Sequence, residues 1–326
     1  MKLTRNLRGL RRGIRLVSRI AKAQIAPPEQ PRPPSGPGRM VTYSGFGDNP
    51  GRLKMLTYLP PDVAGRPLVV LLHGCGQDAA SFAADSGWIE LADRLHFPLI
   101  LPEQMEANNA GRCFQWFQAS DTARDAGEAA SIAGMTEAAI SLFDSNPRRV
   151  FILGLSAGGA MAVALLAAYP DLFAAGASVA GLPVGTAQSG MQAIMRMASG
   201  GPALSADVWA ARVRSAAPAG FAGPWPRLSI CQGQADNTVA PDNANLLATQ
   251  WCALHGVSAA MMTNEVRDGV RHQTWSDQTG QQVELWWLPL MAHGYPVGTR
   301  IVQPGRFVLQ APLDATAAIA RFFELD

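Results

Sequence analysis

The sequence predicts an α/β fold in which a mostly parallel central sheet carries helices on both faces. Three observations predict it. From about residue 41 onward, short apolar runs alternate with helical patterns. The runs at 67–72 and 149–154 are apolar without polar alternation, as strands buried on both faces are. Arg149-Val150-Phe151-Ile152-Leu153 also passes through a glycine-containing turn directly into the helical Ala160-Met161-Ala162-Val163-Ala164-Leu165-Leu166, a strand–turn–helix unit. Strands are expected at 53–59, 67–72, 97–102, 149–154, 173–180, 227–232 and 282–288, and helices at 80–95, 123–143, 157–169, 242–255 and 313–324. The stretch 182–220 has little strand character and many Ala, Met and Gly residues, and reads as a helical excursion above the sheet.

Composition supports a folded protein with a sizeable core: 48% of the 326 residues are hydrophobic and 16% are charged. No run approaches the roughly 18 consecutive apolar residues of a membrane span. Of the chain's 27 basic and 25 acidic residues, ten and one lie before position 41, which leaves 17 and 24 beyond it. The body is therefore mildly acidic and shows no basic stripe for nucleic acid. Its four cysteines have neither CxxC nor Cys/His spacing, so neither zinc nor another cofactor is expected.

The basic excess belongs to a leader. Leu3, Leu7, Leu10, Ile14 and Val17 recur at alternating steps of four and three, with Arg5, Arg8, Arg12, Arg15 and Arg19 on other faces, which predicts a basic amphipathic helix. Such a helix suits weak contact with a membrane or polymer-granule surface. Arginines interrupt every run that could serve as the apolar core of an export signal, which points to the cytoplasm. Residues 26–38 then read as an extended proline-rich linker. The expected organisation is a leader and linker over 1–40 and a catalytic domain over 41–326.

The strand–turn–helix unit carries the chemistry. Gly154-Leu155-Ser156-Ala157-Gly158 is a G-x-S-x-G turn, which holds a serine in a strained conformation at the carboxyl edge of a sheet and requires small residues two positions to either side. The pattern alone is weak; its place between a buried strand and a helix gives it weight. A serine hydroxyl needs a base, and the base an orienting acid, which in the α/β-hydrolase fold follow in the order Ser, Asp/Glu, His. Asp236 lies in the loop after the 227–232 strand and His293 after the 282–288 strand. Asp242 competes for the acid's role, but it sits where a helix begins and suits an N-cap. Of the five histidines, only His293 has both the order and the setting. His96 and His255 end helices, His272 lies in a polar hairpin-like stretch, and His73 belongs structurally to the His73-Gly74-Cys75-Gly76-Gln77 loop. The backbone N–H groups of Ala157 and Cys75 are the expected oxyanion donors.

With these residues in view, the chain resembles the short-chain poly(3-hydroxyalkanoate) depolymerase family of esterases, relatives of feruloyl and acetylxylan esterases. The resemblance covers roughly residues 50–300 and rests on His73-Gly74-Cys75-Gly76-Gln77, Leu101-Pro102-Glu103-Gln104, Cys113-Phe114-Gln115-Trp116-Phe117, Asp125-Ala126-Gly127-Glu128-Ala129-Ala130-Ser131-Ile132, the serine turn, and Met291-Ala292-His293-Gly294. It implies the Ser156, Asp236 and His293 triad, the oxyanion pair, an aromatic substrate contact at Trp116, and an extracellular setting. No separate polymer-binding domain is recognisable, so soluble hydroxyalkanoate oligomers or small esters are the expected substrates. Feruloyl or acetylxylan ester hydrolysis is the alternative within the same machinery, and a catalytically silent surface-binding module the alternative outside it. The resemblance, and the neighbouring 67–72 and 97–102 strands of the implied fold, also place Cys75 beside Cys113 and imply a disulfide in an oxidising compartment. A Cys231–Cys252 bond is suggested only by their strand-then-helix placement.

Overall fold

A computed structural model describes residues 37–299 and 305–325; the basic leader and the linker up to residue 36 lie outside them. The strands of the main sheet are β1 (Arg39–Tyr43), β2 (Lys54–Leu59), β3 (Leu68–Leu72), β4 (Leu99–Glu103), β5 (Val150–Leu155), β6 (Ala175–Val179), β7 (Arg227–Gly233), β8 (Met262–Arg267), β9 (Val270–Asp277) and β10 (Gly280–Leu288), and the short Tyr295–Pro296 and Val308–Leu309 pair separately. The main sheet has the order β1-β2-β4-β3-β5-β6-β7-β10-β9-β8. The run from β4 to β10 is parallel, and antiparallel pairs close it at both edges.

Unbroken apolar runs form the central strands because both faces are covered. Leu68, Val70 and Leu72 of β3 and Val150 and Ile152 of β5 face a core shared with helices Gly127–Leu142, Ala157–Ala168, Ala206–Ala216 and Asp242–His255. Val69, Leu71, Phe151, Leu153 and Leu155 face the opposite core, under Ala79–Asp85, Trp88–Leu95 and Ala315–Phe322. Helix Ala157–Ala168 is buried at every position, which explains why its sequence is apolar all round.

The expected helix at 80–95 is two helices. Gly87 takes a left-handed backbone at φ 85°, and the Ser86 hydroxyl donates back to the Phe82 carbonyl at 2.6 Å, so the chain turns before Trp88. Similarly, the helix expected over 123–143 is interrupted at Asp125 and Gly127, with φ of 61° and 51°, and runs over Gly127–Leu142 behind a short turn of helix, Ala119–Thr122. The excursion at 182–220 contains helices Gly190–Ser199 and Ala206–Ala216. Strand β8 is exposed at every position and β1 lies at the opposite edge, so neither has the apolar run by which strands announce themselves.

Strand order creates the place for a site. After β3 the chain crosses to β4 on one side, and after β5 it crosses to β6 on the other. The loops leaving these adjacent strands diverge and open a crevice at their carboxyl ends, where open α/β sheets receive ligands. Cys75 follows β3 and Ser156 follows β5 at that crevice, while Asp236 and His293 follow the parallel neighbours β7 and β10 at the same edge.

Candidate active site

Ser156 joins β5 to its helix at φ 56° and ψ −117°, a conformation costly for any residue but glycine. Its N–H donates to the Val179 carbonyl at 2.8 Å, which anchors the turn on β6. A Cβ on Gly154 would collide with the Gly158 backbone, and one on Gly158 with the carbonyls of Leu72 and His73. The two glycines therefore let strand, turn and helix approach closely enough to present the hydroxyl at the sheet edge.

The Ser156 hydroxyl lies 3.0 Å from His293 Nε2, and His293 Nδ1 lies 2.8 Å from Asp236 Oδ2. Asp236 is buried, and its remaining capacity is filled: Oδ1 accepts the N–H groups of Thr238 and Val239, both at 2.8 Å, and Oδ2 also accepts Gln232 Nε2 at 3.0 Å. Donation from Nδ1 to the carboxylate leaves Nε2 as an acceptor facing the serine. The two loops meet because Gly233 has no side chain: a Cβ there would strike the Met291 carbonyl, which instead accepts the Ala235 N–H at 3.0 Å. Phe307 sets its ring 5.8 Å from the His293 ring in an edge-to-face contact at 73°. Nothing in the sequence pointed to Phe307, which lies 14 residues beyond the histidine. Gln232 stood inside the Gln232-Gly233-Gln234-Ala235-Asp236 run without a recognised part.

Asp242 is the first residue of its helix, one place beyond the cap position held by Pro241. It is exposed in that first turn, so the expected N-cap role is replaced by a charge near the helix N-terminus. His272 lies on β9, bonded to Glu284 at 2.8 Å, and His255 Nε2 bonds to the Pro226 carbonyl at 3.1 Å.

Near the crevice, the N–H groups of Cys75 and Ala157 have no hydrogen-bond acceptor among the described residues. The loop behind Cys75 is held by His73, which is fully buried: Nδ1 donates to the Gly74 carbonyl at 2.8 Å and Nε2 accepts the Gln104 N–H at 3.1 Å. Burial pushes the His73 pKa down, and with both nitrogens occupied the ring is a neutral brace. Cys75 and Cys113 are joined by a disulfide, and beside it the Gly76 N–H donates to the Gly111 carbonyl at 2.7 Å. The bond closes a loop with a sequence separation of 38; such a loop stabilises by about 4 kcal/mol in the chain-entropy picture. Reduction is expected to lower the melting temperature and, by loosening the Cys75 backbone, ester turnover; thermal unfolding and p-nitrophenyl butyrate assays with and without reductant check both.

Cys231 and Cys252 do not pair. Cys231 faces the core under Ala315–Phe322, Cys252 faces the other, and the sheet stands between them. Burial raises both thiol pKa values, that of Cys252 to about 12. Trp116 packs on a small cluster of Ala160, Leu182 and Val239, with Phe117 edge-on to its ring at 5.5 Å. Ala160 is four residues past Ser156 and Val239 three past Asp236, so Trp116 belongs to the apolar wall beside those residues.

Fold and relatives together define a carboxylic ester hydrolase of the α/β-hydrolase fold. The chain belongs to the Esterase PHB depolymerase family, whose pattern matches residues 53–272. It is 37% identical over 291 residues to poly(3-hydroxyalkanoate) depolymerase C of Paucimonas lemoignei, covering 87% of this chain and 70% of that one. It is also 30% identical over 271 residues to feruloyl esterase B of Talaromyces stipitatus, covering 81% and 74%. Among solved structures, acetyl xylan esterase from Aspergillus awamori superimposes with a TM-score of 0.76 over 89% of this chain and 100% of its own, at 23% identity, a likeness of fold.

Proposed function

We propose that this chain hydrolyses short-chain hydroxyalkanoate oligomers or small carboxylic esters through an acyl-enzyme on Ser156. The observation that carries the reading is the relay from the Ser156 hydroxyl through His293 to Asp236, at 3.0 and 2.8 Å. His293 Nε2 takes the hydroxyl proton as Oγ attacks the ester carbonyl, and the resulting oxyanion accepts the N–H groups of Cys75 and Ala157. The proton then passes from His293 to the leaving alkoxide, the alcohol departs, and the acyl group remains on Oγ. Water, deprotonated by the same nitrogen, attacks the acyl-enzyme and releases the acid. Asp236 holds the imidazole in the tautomer that can accept and stabilises the imidazolium between steps. Trp116 forms an apolar contact for the substrate chain.

Two names among the relatives favour different substrates: depolymerase C supports hydroxyalkanoate esters, feruloyl esterase B aromatic ones. A panel of hydroxybutyrate oligomers, p-nitrophenyl butyrate and methyl ferulate, with a fluorophosphonate probe, tests the proposal. The expected result is labelling at Ser156 and the highest kcat/KM on hydroxybutyrate oligomers. Preference for methyl ferulate would transfer the enzyme to the feruloyl class, and a protein that neither labels nor hydrolyses any ester would be a binding module.

A further inference from the structure

We propose that Glu128 is a positioning residue for ester turnover, tying the oxyanion loop and the Trp116 loop together without touching the substrate. The inference rests on the assignment of the Cys75 N–H and Ser156 above. Glu128 is the second residue of helix Gly127–Leu142 and is 2% exposed. Its Oε2 accepts the N–H of Gln115, the residue before Trp116, at 2.8 Å. Its Oε1 accepts Gln104 Nε2 at 2.5 Å.

Gln104, which directly follows β4, carries the connection from this carboxylate on toward the Cys75 loop. Its Oε1 accepts the Met105 N–H at 2.9 Å and Asn108 Nδ2 at 3.0 Å, so the amide nitrogen is obliged to face Glu128. The same nitrogen donates to the carbonyl of Cys113, the disulfide partner of Cys75, at 3.3 Å. The Gln104 N–H donates to His73 Nε2 at 3.1 Å, and His73 Nδ1 donates to the Gly74 carbonyl at 2.8 Å, one residue before the oxyanion donor. Glu128 is thus bonded directly to the loop of Trp116 and, through Gln104 and His73, to the loop of Cys75.

Both bonds require an acceptor at each oxygen, which an ionised carboxylate supplies and an amide does not: a glutamine would turn its NH2 onto a donor. Burial, reinforced by the negative charge of Asp121 in Ala119–Thr122, raises the Glu128 pKa to about 8, while the bonds from Gln115 and Gln104, both uncharged, oppose the shift. The protonated form has an O–H with no acceptor in this arrangement, so the bonds to both loops are complete only above that pH. Holding the ion also costs stability. The folded state binds this proton more tightly than the unfolded chain, so the group's contribution to stability falls as pH rises from the ordinary 4.5 to about 8.

The test is Glu128→Gln, measured by p-nitrophenyl butyrate kinetics and fluorophosphonate labelling from about pH 6 to about pH 9.5. Wild type is expected to show a rise in kcat/KM near pH 8. The folded variant is expected to lose that rise and to be roughly 10- to 100-fold slower. Glu284→Gln, at a comparably buried glutamate of β10 bonded to Ser229 of β7 and His272 of β9 and to neither the Trp116 nor the Cys75 loop, should keep both rate and rise. If Glu128→Gln does not fold, Gln104→Met removes the same bond and is expected to slow turnover in the same way. A folded Glu128→Gln that retains the rise or stays within about threefold of wild type overturns the proposal, as does a wild-type profile with no rise near pH 8. Ser156→Ala separates the two readings: if it abolishes turnover while Glu128→Gln does not change it, the catalytic assignment stands and the positioning role falls; if Ser156→Ala is active, the assignment itself has failed.

Discussion

Ser156→Ala is expected to abolish fluorophosphonate labelling and to lower ester turnover by roughly 10⁴- to 10⁶-fold, the scale of losing a nucleophile from a hydrogen-bonded catalytic unit. The substitution removes one hydroxyl from a nearly buried position and leaves the backbone of the turn unchanged, so stability should hold. What activity remains would come from binding and the oxyanion donors, which do not depend on Oγ. Active-site titration with a fluorophosphonate, alongside thermal unfolding, checks the result; turnover near the wild-type rate from a stable variant would remove Ser156 from the mechanism.

Asp236→Asn is expected to cost roughly 10³- to 10⁴-fold in kcat with little change in stability. The argument is one of donors. Thr238 and Val239 both aim N–H groups at Oδ1, so an asparagine would place its oxygen there and turn its NH2 toward His293. Nδ1 would then have to accept, Nε2 would carry the proton, and the ring would face Ser156 with a donor where a base is needed. Asp242→Asn, on an exposed first turn of a helix, should leave kcat within about twofold of wild type. Parallel measurement of kcat in the two variants decides between the carboxylates; the reverse ranking would assign the acid to Asp242.

The legibility of this protein followed burial and locality. β3 and β5 showed in the sequence as apolar runs because they are buried, and Asp242–His255 because its pattern runs uninterrupted for 14 residues. Hidden features were those set by partners distant in sequence. β8 is a strand through pairing with β9, not through its own composition. Gly87 divides a helical pattern by adopting a backbone conformation that its neighbours do not announce. Cys231 and Cys252 looked pairable only until the sheet was placed between them.

For the site, the G-x-S-x-G turn and the order of Ser156, Asp236 and His293 were written locally, because each residue follows a strand and parallel strands end at one edge. By itself, then, the sequence determined the α/β class, the positions of the main parallel strands, and the three residues to which ester chemistry is assigned, since all of these depend on short-range pattern and chain order. The tertiary structure alone decided that Phe307 touches His293, that His73 is a brace, and that Glu128 is bonded to both Gln104 and Gln115. The physical reason is that a hydrogen bond or ring contact depends on angstrom-scale separation between segments, and chain distance carries no record of it: Glu128 lies 24 residues from Gln104 and only 13 from Gln115, yet one carboxylate accepts from both.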